Sequence, residues 1–240
     1  VQTREAVPAR GIGGLCTSLA RGENGGARSS REREATLTTD LGSLFGSIDI
    51  YLFDQLLRGR IAPGMRVLDA GCGNGRNLVF LLREGYEVFG LDTDPAAVAA
   101  VRDLARRLAP ALPPTNFRVE PVDASTFPDS CADVVLVSAV LHFARDDAHF
   151  LAMLRGAWRL LAPGGVFFSR LASSVAMEGR ARPLGGGRFT MLDGTDRYLV
   201  DEERLVRLTA ELGGTLLDPL KTTVVMNQRA MTTWVARKGA

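Results

Sequence analysis

Asp69, Asp92 and three closely spaced glycines carry the chemistry this chain displays first. Gly71, Gly73 and Gly75 alternate in Val67-Leu68-Asp69-Ala70-Gly71-Cys72-Gly73-Asn74-Gly75-Arg76-Asn77, directly after a short apolar run. Glycine reaches backbone angles that other residues avoid and leaves no side chain in the way, so a ligand is able to lie against the main chain. A dinucleotide fingerprint needs Gly-x-Gly-x-x-Gly, whose last glycine admits close helix packing. Arg76 occupies that last position here. A P-loop is excluded as well, because no Gly-Lys-Ser/Thr follows. The carboxylate of Asp69 beside the turn would repel a pyrophosphate and suits a cationic ligand. Asp92 ends a second apolar run, residues 86 to 91, where a doubly wound fold places the acid that binds ribose hydroxyls.

Together these residues describe a nucleoside with a positively charged tail, and S-adenosylmethionine, with its sulfonium and ammonium groups, has that charge. At this point the chain resembles the class I S-adenosylmethionine-dependent methyltransferases over about residues 48 to 238. Asp123-Ala124 follows the third strand, residues 133 to 141 look like the fourth, and Leu161-Ala162-Pro163-Gly164-Gly165 looks like the turn into the fifth. The resemblance implies roles. Asp69 would hold the methionine amino group through the turn, with Gly71, Cys72, Gly73, Gly75 and Asn77 forming that turn. Asp92 would bind ribose, with its neighbour Thr93 also in the cofactor site, Asp123 would read the adenine amino group, Ala124 would supply a backbone donor, and Ser138 would offer its carbonyl to the methionine end. Within the superfamily, the motif order is similar to the tellurite-resistance type, including Val140-Leu141-His142-Phe143 and the closing Ala236-Arg237-Lys238. That type carries a His-Arg pair near its penultimate strand, and residues 222–228 contain neither.

A sulfonium-activated methyl group is already a strong electrophile, so the protein must mainly align an acceptor and exclude water. Two residues are candidates for handling that acceptor. His142, just past the fourth strand, is placed to take a proton from a hydroxyl or thiol; capping or packing the same loop is the alternative. Arg170, at the end of the fifth strand, is placed to orient an anionic acceptor, with an ion pair as its alternative role. Arg229 is a weaker candidate of the same kind. Absences restrict the acceptor further. The Asn/Asp-Pro-Pro-Tyr/Phe motif that accompanies methylation of amide or amino nitrogens in this superfamily is replaced by Ser138-Ala139-Val140-Leu141. No clustered cysteines or carboxylates point to a metal. A small-molecule acceptor remains, with oxygen, sulfur or a chalcogen preferred. A protein that binds S-adenosylmethionine without turnover, as a sensor or partner, is the alternative from another class.

These residues need a frame to hold them. The spacing predicts a helix over 48–57, a strand over 66–70, a helix over 76–84, a strand over 86–91, a helix over 95–108, strands over 116–119 and 133–138, a helix over 147–161 and a strand over 165–171. Strict alternation of this kind means α/β, a doubly wound, mostly parallel seven-stranded sheet with helices on both faces, the Rossmann-like methyltransferase fold. Asp94 is an expected N-cap with Pro95 at the first helical position. Residues 188–191 and 197–200 flank Asp193-Gly194, which reads as a type I′ hairpin inside an insert near 173–200. Such an insert rises beside the ligand crevice and is expected to form part of a lid. A helix over 201–212 and strands near 215–225 and 230–237 complete the domain, residues 41–240. Residues 1–40, rich in Gly, Ser, Arg and Glu, read as a flexible tail.

Composition is permissive. A chain of 240 residues with 46% hydrophobic content is long enough for one α/β domain. A net charge of +2, with no run of basic residues, leaves no nucleic-acid footprint. Cys16, Cys72 and Cys131 form no disulfide framework, and a reducing cytoplasm fits best. No long apolar stretch suggests a membrane span. Oligomeric state is left open by the sequence.

Overall fold

The computed structural model describes residues 41–240, and the expected tail lies outside the described residues. The first labelled helix, α1 (Ile50–Leu57), starts at Asp49, whose carboxylate accepts from Tyr51 N at 3.0 Å. Strand β1 (Arg66–Ala70) leads through the glycine turn into α2 (Val79–Arg83), then β2 (Glu87–Asp92), α3 (Pro95–Leu108) and β3 (Phe117–Val119). Next come β4 (Ala132–Ser138), α4 (Asp147–Leu160) and the long β5 (Leu161–Ala172). Three short strands follow, β6 (Arg182–Gly185), β7 (Arg188–Thr190) and β8 (Asp196–Tyr198), then α5 (Glu202–Glu211), β9 (Gly214–Leu216), β10 (Lys221–Val225) and β11 (Arg229–Lys238).

The main sheet runs β10-β11-β5-β4-β1-β2-β3, and β9 adds an eighth strand on β11. Pairs among β1 to β5 are parallel; β11 is antiparallel to β5, β9 and β10. The chain steps from β1 to β2 and β3 on one side, then returns to place β4 on the other. The point where strand order reverses therefore lies between β1 and β4, and ligands of such sheets bind outside the carboxyl ends of the strands there. Val67, Leu68, Val134 to Val137 and Phe167 to Phe168 are fully enclosed, which fits strands covered on both faces.

Local chemistry sets most boundaries. Asp94 caps α3 by accepting from Ala96 N at 2.8 Å, with Pro95 as its first residue. Asp146 and Asp201 cap α4 and α5 in the same way. Helix α2 is shorter than the expected 76–84, because the glycine turn winds on through Gly75 N to Cys72 O and Leu78 N to Gly75 O bonds of the i to i+3 kind. The single strand expected near 215–225 is two strands, β9 and β10, separated by a segment containing Pro219, which has no N–H to offer a ladder.

The insert is a three-stranded antiparallel sheet, β6-β7-β8, separate from the main sheet. The type I′ turn is not at Asp193-Gly194. Only Gly194 has positive φ there; Gly194 N donates to Met191 O at 3.0 Å and Met191 N to Thr195 O at 2.8 Å, so the loop is a three-residue one with glycine at its left-handed position. Gly186 (φ 58°) and Gly187 (φ 79°), between β6 and β7, both have the positive φ of a type I′ connection. Tyr198 ties the insert down: it stacks on Phe150 with ring centroids 4.6 Å apart, and its hydroxyl donates to Asp147 at the start of α4. Arg204 of α5 grips the same carboxylate at 2.9 and 3.0 Å. Arg204, and then Tyr198, hold Asp147 below the usual carboxylate range.

Candidate functional site

The carboxyl ends of β1, β2 and β4 and the turns after them wall a cavity of about 680 Å³. Gly71, Asp92, Thr93 and Asp123 line it; Asp69, Cys72, Gly73, Gly75, Asn77, Ala124 and Ser138 do not. A second cavity of about 270 Å³ is lined by His142 and Arg170, with Arg197 and Arg229. Ala139 lines both cavities. It follows β4 directly and has φ 63°, a left-handed conformation that is strained for a residue with a Cβ. Its N–H donates to Arg170 O at 2.7 Å, which holds the bend in place.

Gly71 shows why the turn is glycine-rich. Its φ is 86°, and a Cβ built on it would lie 2.3 Å from Val140 Cγ2. The backbone of the first turn thus presses against the loop after β4 at the cavity wall. Asp92 is fixed by Gly73 N at 2.9 Å on one oxygen and Asp94 N at 3.0 Å on the other. A carboxylate anchored by two backbone donors keeps lone pairs free for hydroxyl donors in the cavity.

Asp69 is 1% exposed, and its Oδ1 has no hydrogen-bond partner. Burial pushes its pKa up to about 7, opposed by Arg76 and reinforced by Asp92. A buried, unpartnered carboxylate is costly unless a cation or donor reaches it. Cys72 packs against Gly90, and burial raises its thiol pKa. A thiol held in that way is a packing group.

Arg76, Asn77 and Ser138 serve the contact between α1 and the turn. Asn77 Oδ1 accepts from Asp49 N at 3.0 Å, and Arg76 reaches Asp49 at 4.0 Å and Ser138 Oγ at 3.4 Å. Arg170 donates to the same buried Asp49 carboxylate at 3.0 Å, while its Nε is buried without a partner. Asp49 thus fastens α1 across the sheet edge. Ala124 N is engaged with Pro121 O at 3.2 Å inside a short 3-10 turn.

His142 Nδ1 accepts from Ala172 N at 3.3 Å, so the neutral ring carries its proton on Nε2. Burial, with Arg197 nearby, pulls its pKa down to about 4. At neutral pH this ring is uncharged and its only free lone pair is already used. It is a poor proton acceptor and a ready Nε2–H donor.

Three contributors were not singled out from sequence. Ala139 gave no signal, since its strain arises from the approach of two loops. His149 lies on α4 with its Nε2 3.7 Å from Asp123, and Arg145 N donates to its Nδ1 at 3.1 Å; both residues line the larger cavity. Local sequence puts His149 only on a helix beside Asp146 and Asp147, because Asp123 is distant in sequence. Arg197 comes from β8, whose placement against the turn after β4 no local pattern announces.

Residues 68–169 match a family model described as a methyltransferase domain. Over that stretch the chain is similar to methyltransferase domains. A trans-aconitate 2-methyltransferase of Methylobacterium radiotolerans is 36% identical over 118 residues, which are 48% of this chain and 40% of that protein. A probable S-adenosylmethionine-dependent methyltransferase of Mycolicibacterium smegmatis is 35% identical over 131 residues, 54% of this chain and 47% of that one. The chain thus aligns with less than half the length of these curated relatives. In fold, it resembles the 1,6-didemethyltoxoflavin-N1-methyltransferase of Burkholderia thailandensis, with bound S-adenosylhomocysteine, at TM-score 0.61 and 20% identity over 91% of this chain and 94% of the other. The architecture is the Rossmann-like fold of S-adenosylmethionine-dependent methyltransferases, and that cofactor suits the orphaned Asp69 carboxylate, the Gly71 cradle and the anchored Asp92. Among the described residues, no cluster of His, Cys, Asp and Glu side chains could hold a metal, and no helix is long and apolar enough to cross a membrane.

Proposed function

We propose that this protein transfers the methyl group of S-adenosylmethionine to a small-molecule acceptor, at oxygen, sulfur or a heavier chalcogen, by in-line displacement. The observation that carries the reading is the pair of cavities meeting at Ala139, one walled by the strand-end acids and Gly71, the other by His142 and arginines. When bound, S-adenosylmethionine supplies a sulfonium-activated methyl. Asp69 answers its ammonium group through the turn, Asp92 its ribose hydroxyls, and Asp123 with Thr93 the adenosine end. His142 and Arg170 face the acceptor side. The β6-β7-β8 insert covers that side, fastened by Tyr198 to Asp147.

The shared motif order with tellurite-resistance type methyltransferases supports chalcogens among the acceptors, and the missing His-Arg pair in residues 222–228 sets this chain apart from that type. Cys72 and Cys131 are free thiols, which suits the reducing cytoplasm. The test is transfer of isotopically labelled methyl from S-adenosylmethionine to pooled thiols, chalcogen oxyanions, phenols and organic acids. Formation of S-adenosylhomocysteine with at least one class supports the enzyme. Tight cofactor binding with no turnover on any class would leave a binding protein instead.

A further inference from the structure

We infer that the acceptor is an organic carboxylate, bound in the smaller cavity and methylated on oxygen without a general base. This rests on the methyltransferase reading above and adds the substrate class. The cavity brings Arg170, Arg197 and Arg229 together with the imidazole of His142. Its one carboxylate is Asp193, whose Oδ1 is already taken by Thr195 N and Oγ1. Arg170 is neutralised by Asp49 but keeps a buried, unpartnered Nε. Arg197 and Arg229 form no salt bridge with any described carboxylate, so Asp193 leaves at least one of these two charges unanswered. Arg197 is held ready, donating to Asp196 O at 2.8 Å with its guanidinium 4.8 Å from the Phe143 ring centroid. An anion with planar oxygens matches guanidinium donors.

A hydroxyl or thiol acceptor needs a base, and none is available in this cavity. His142 uses its Nδ1 lone pair on Ala172 N and presents Nε2–H. Asp193 is exposed and held below the usual carboxylate range by Thr195, and by Arg197 and Arg229. A carboxylate arrives already ionised at neutral pH. Its oxygen pair forms the new O–CH₃ bond, the S–CH₃ bond breaks with its electrons to sulfur, and the products are a methyl ester and the neutral thioether. No proton moves. Met191 and Met231 beside the arginines give an apolar wall, which favours an acid with a hydrocarbon body over a bare inorganic oxyanion.

The test is calorimetric titration of the full chain, saturated with S-adenosylhomocysteine, using benzoate, adipate and tricarballylate, each beside its neutral amide, and selenite. At least one acid is expected to bind tenfold or more tightly than its amide and than selenite. Arg197→Gln and Arg229→Gln, both at solvent-accessible positions, are each expected to weaken that acid fivefold or more while the S-adenosylhomocysteine dissociation constant stays within twofold. With labelled S-adenosylmethionine, the methyl transferred to the acid should be released as methanol by mild alkali. Equal binding of acids and amides, tighter binding of selenite, unchanged acid affinity in both arginine variants, or alkali-stable label would each overturn the assignment. Failure of S-adenosylhomocysteine to bind at all would remove the methyltransferase reading together with it, so the two failures are distinct.

Discussion

Replacing Asp69 with asparagine is expected to stabilise the protein at pH 8 and to cost it its cofactor. The carboxylate is 1% exposed, lacks a partner on Oδ1, and titrates near 7 where an ordinary aspartate titrates at 3.8. Between those values the folded state holds a proton that the unfolded chain has released. Stability from this group is therefore greatest below about pH 4, falls as pH rises to about 7, and is flat above that. A shift of about three pH units corresponds to a ceiling of ~4 kcal/mol at ~1.4 kcal/mol per unit. Asparagine keeps the shape and removes the charge, while leaving a buried amide with few partners, which returns ~1–2 kcal/mol of that gain. Asp69→Asn should thus gain ~2–3 kcal/mol in urea denaturation at pH 8 and differ by less than ~1 kcal/mol at pH 5. The same change should weaken S-adenosylmethionine by ~10- to ~100-fold, the scale of a lost charged hydrogen bond. Equal or lower stability at pH 8, or an unchanged dissociation constant by calorimetry, would refute the reasoning.

Other consequences follow from the same geometry. Gly71→Ala forces a Cβ to within 2.3 Å of Val140 Cγ2 at φ 86°, and should lower stability by ~2 kcal/mol or more and abolish cofactor binding, read by thermal melting and titration. Wild-type stability and affinity in that variant would contradict the crowded turn. Because His142 is held at about 4, kcat/KM should show no step from this residue between pH 5.5 and 8; a step near 6.5 that disappears in His142→Gln would show the ring acting as a base. Tyr198→Phe removes the tie to Asp147 and should cost ~0.5–1.5 kcal/mol while speeding proteolysis within residues 182–198. Unchanged cleavage would mean the insert is held by packing alone.

What was legible in the sequence is what local chemistry encodes. Asp94-Pro95 fixed the start of α3, Asp201 the start of α5, and the apolar runs ending at Asp69 and Asp92 located both strand-end acids. Alternating strands and helices were enough for the parallel sheet. Features that depend on distant segments were not readable. Asn77 and Arg76 look like part of the cofactor turn, yet they hold the start of α1 through Asp49, a contact over nearly thirty positions. Asp193-Gly194 carries a strong type I′ signature, but a loop one residue longer lets Asp193 keep an ordinary φ. The Gly185-Gly186-Gly187 run, which does turn the chain between β6 and β7, reads as generic loop until β6 is known. Similarly, the basic cavity draws on β5, the loop after β4, β8 and β11, so no single stretch displays it.

Calorimetric titration of the protein with S-adenosylmethionine, S-adenosylhomocysteine and NAD tests the central claim most directly. Micromolar binding of the two methionine nucleosides, with none for NAD, is the expected result. Binding of NAD, or of neither nucleoside, would mean that the turn at residues 67–77 and the cavity it walls serve a different ligand, and the methyl-transfer reading would fall with it.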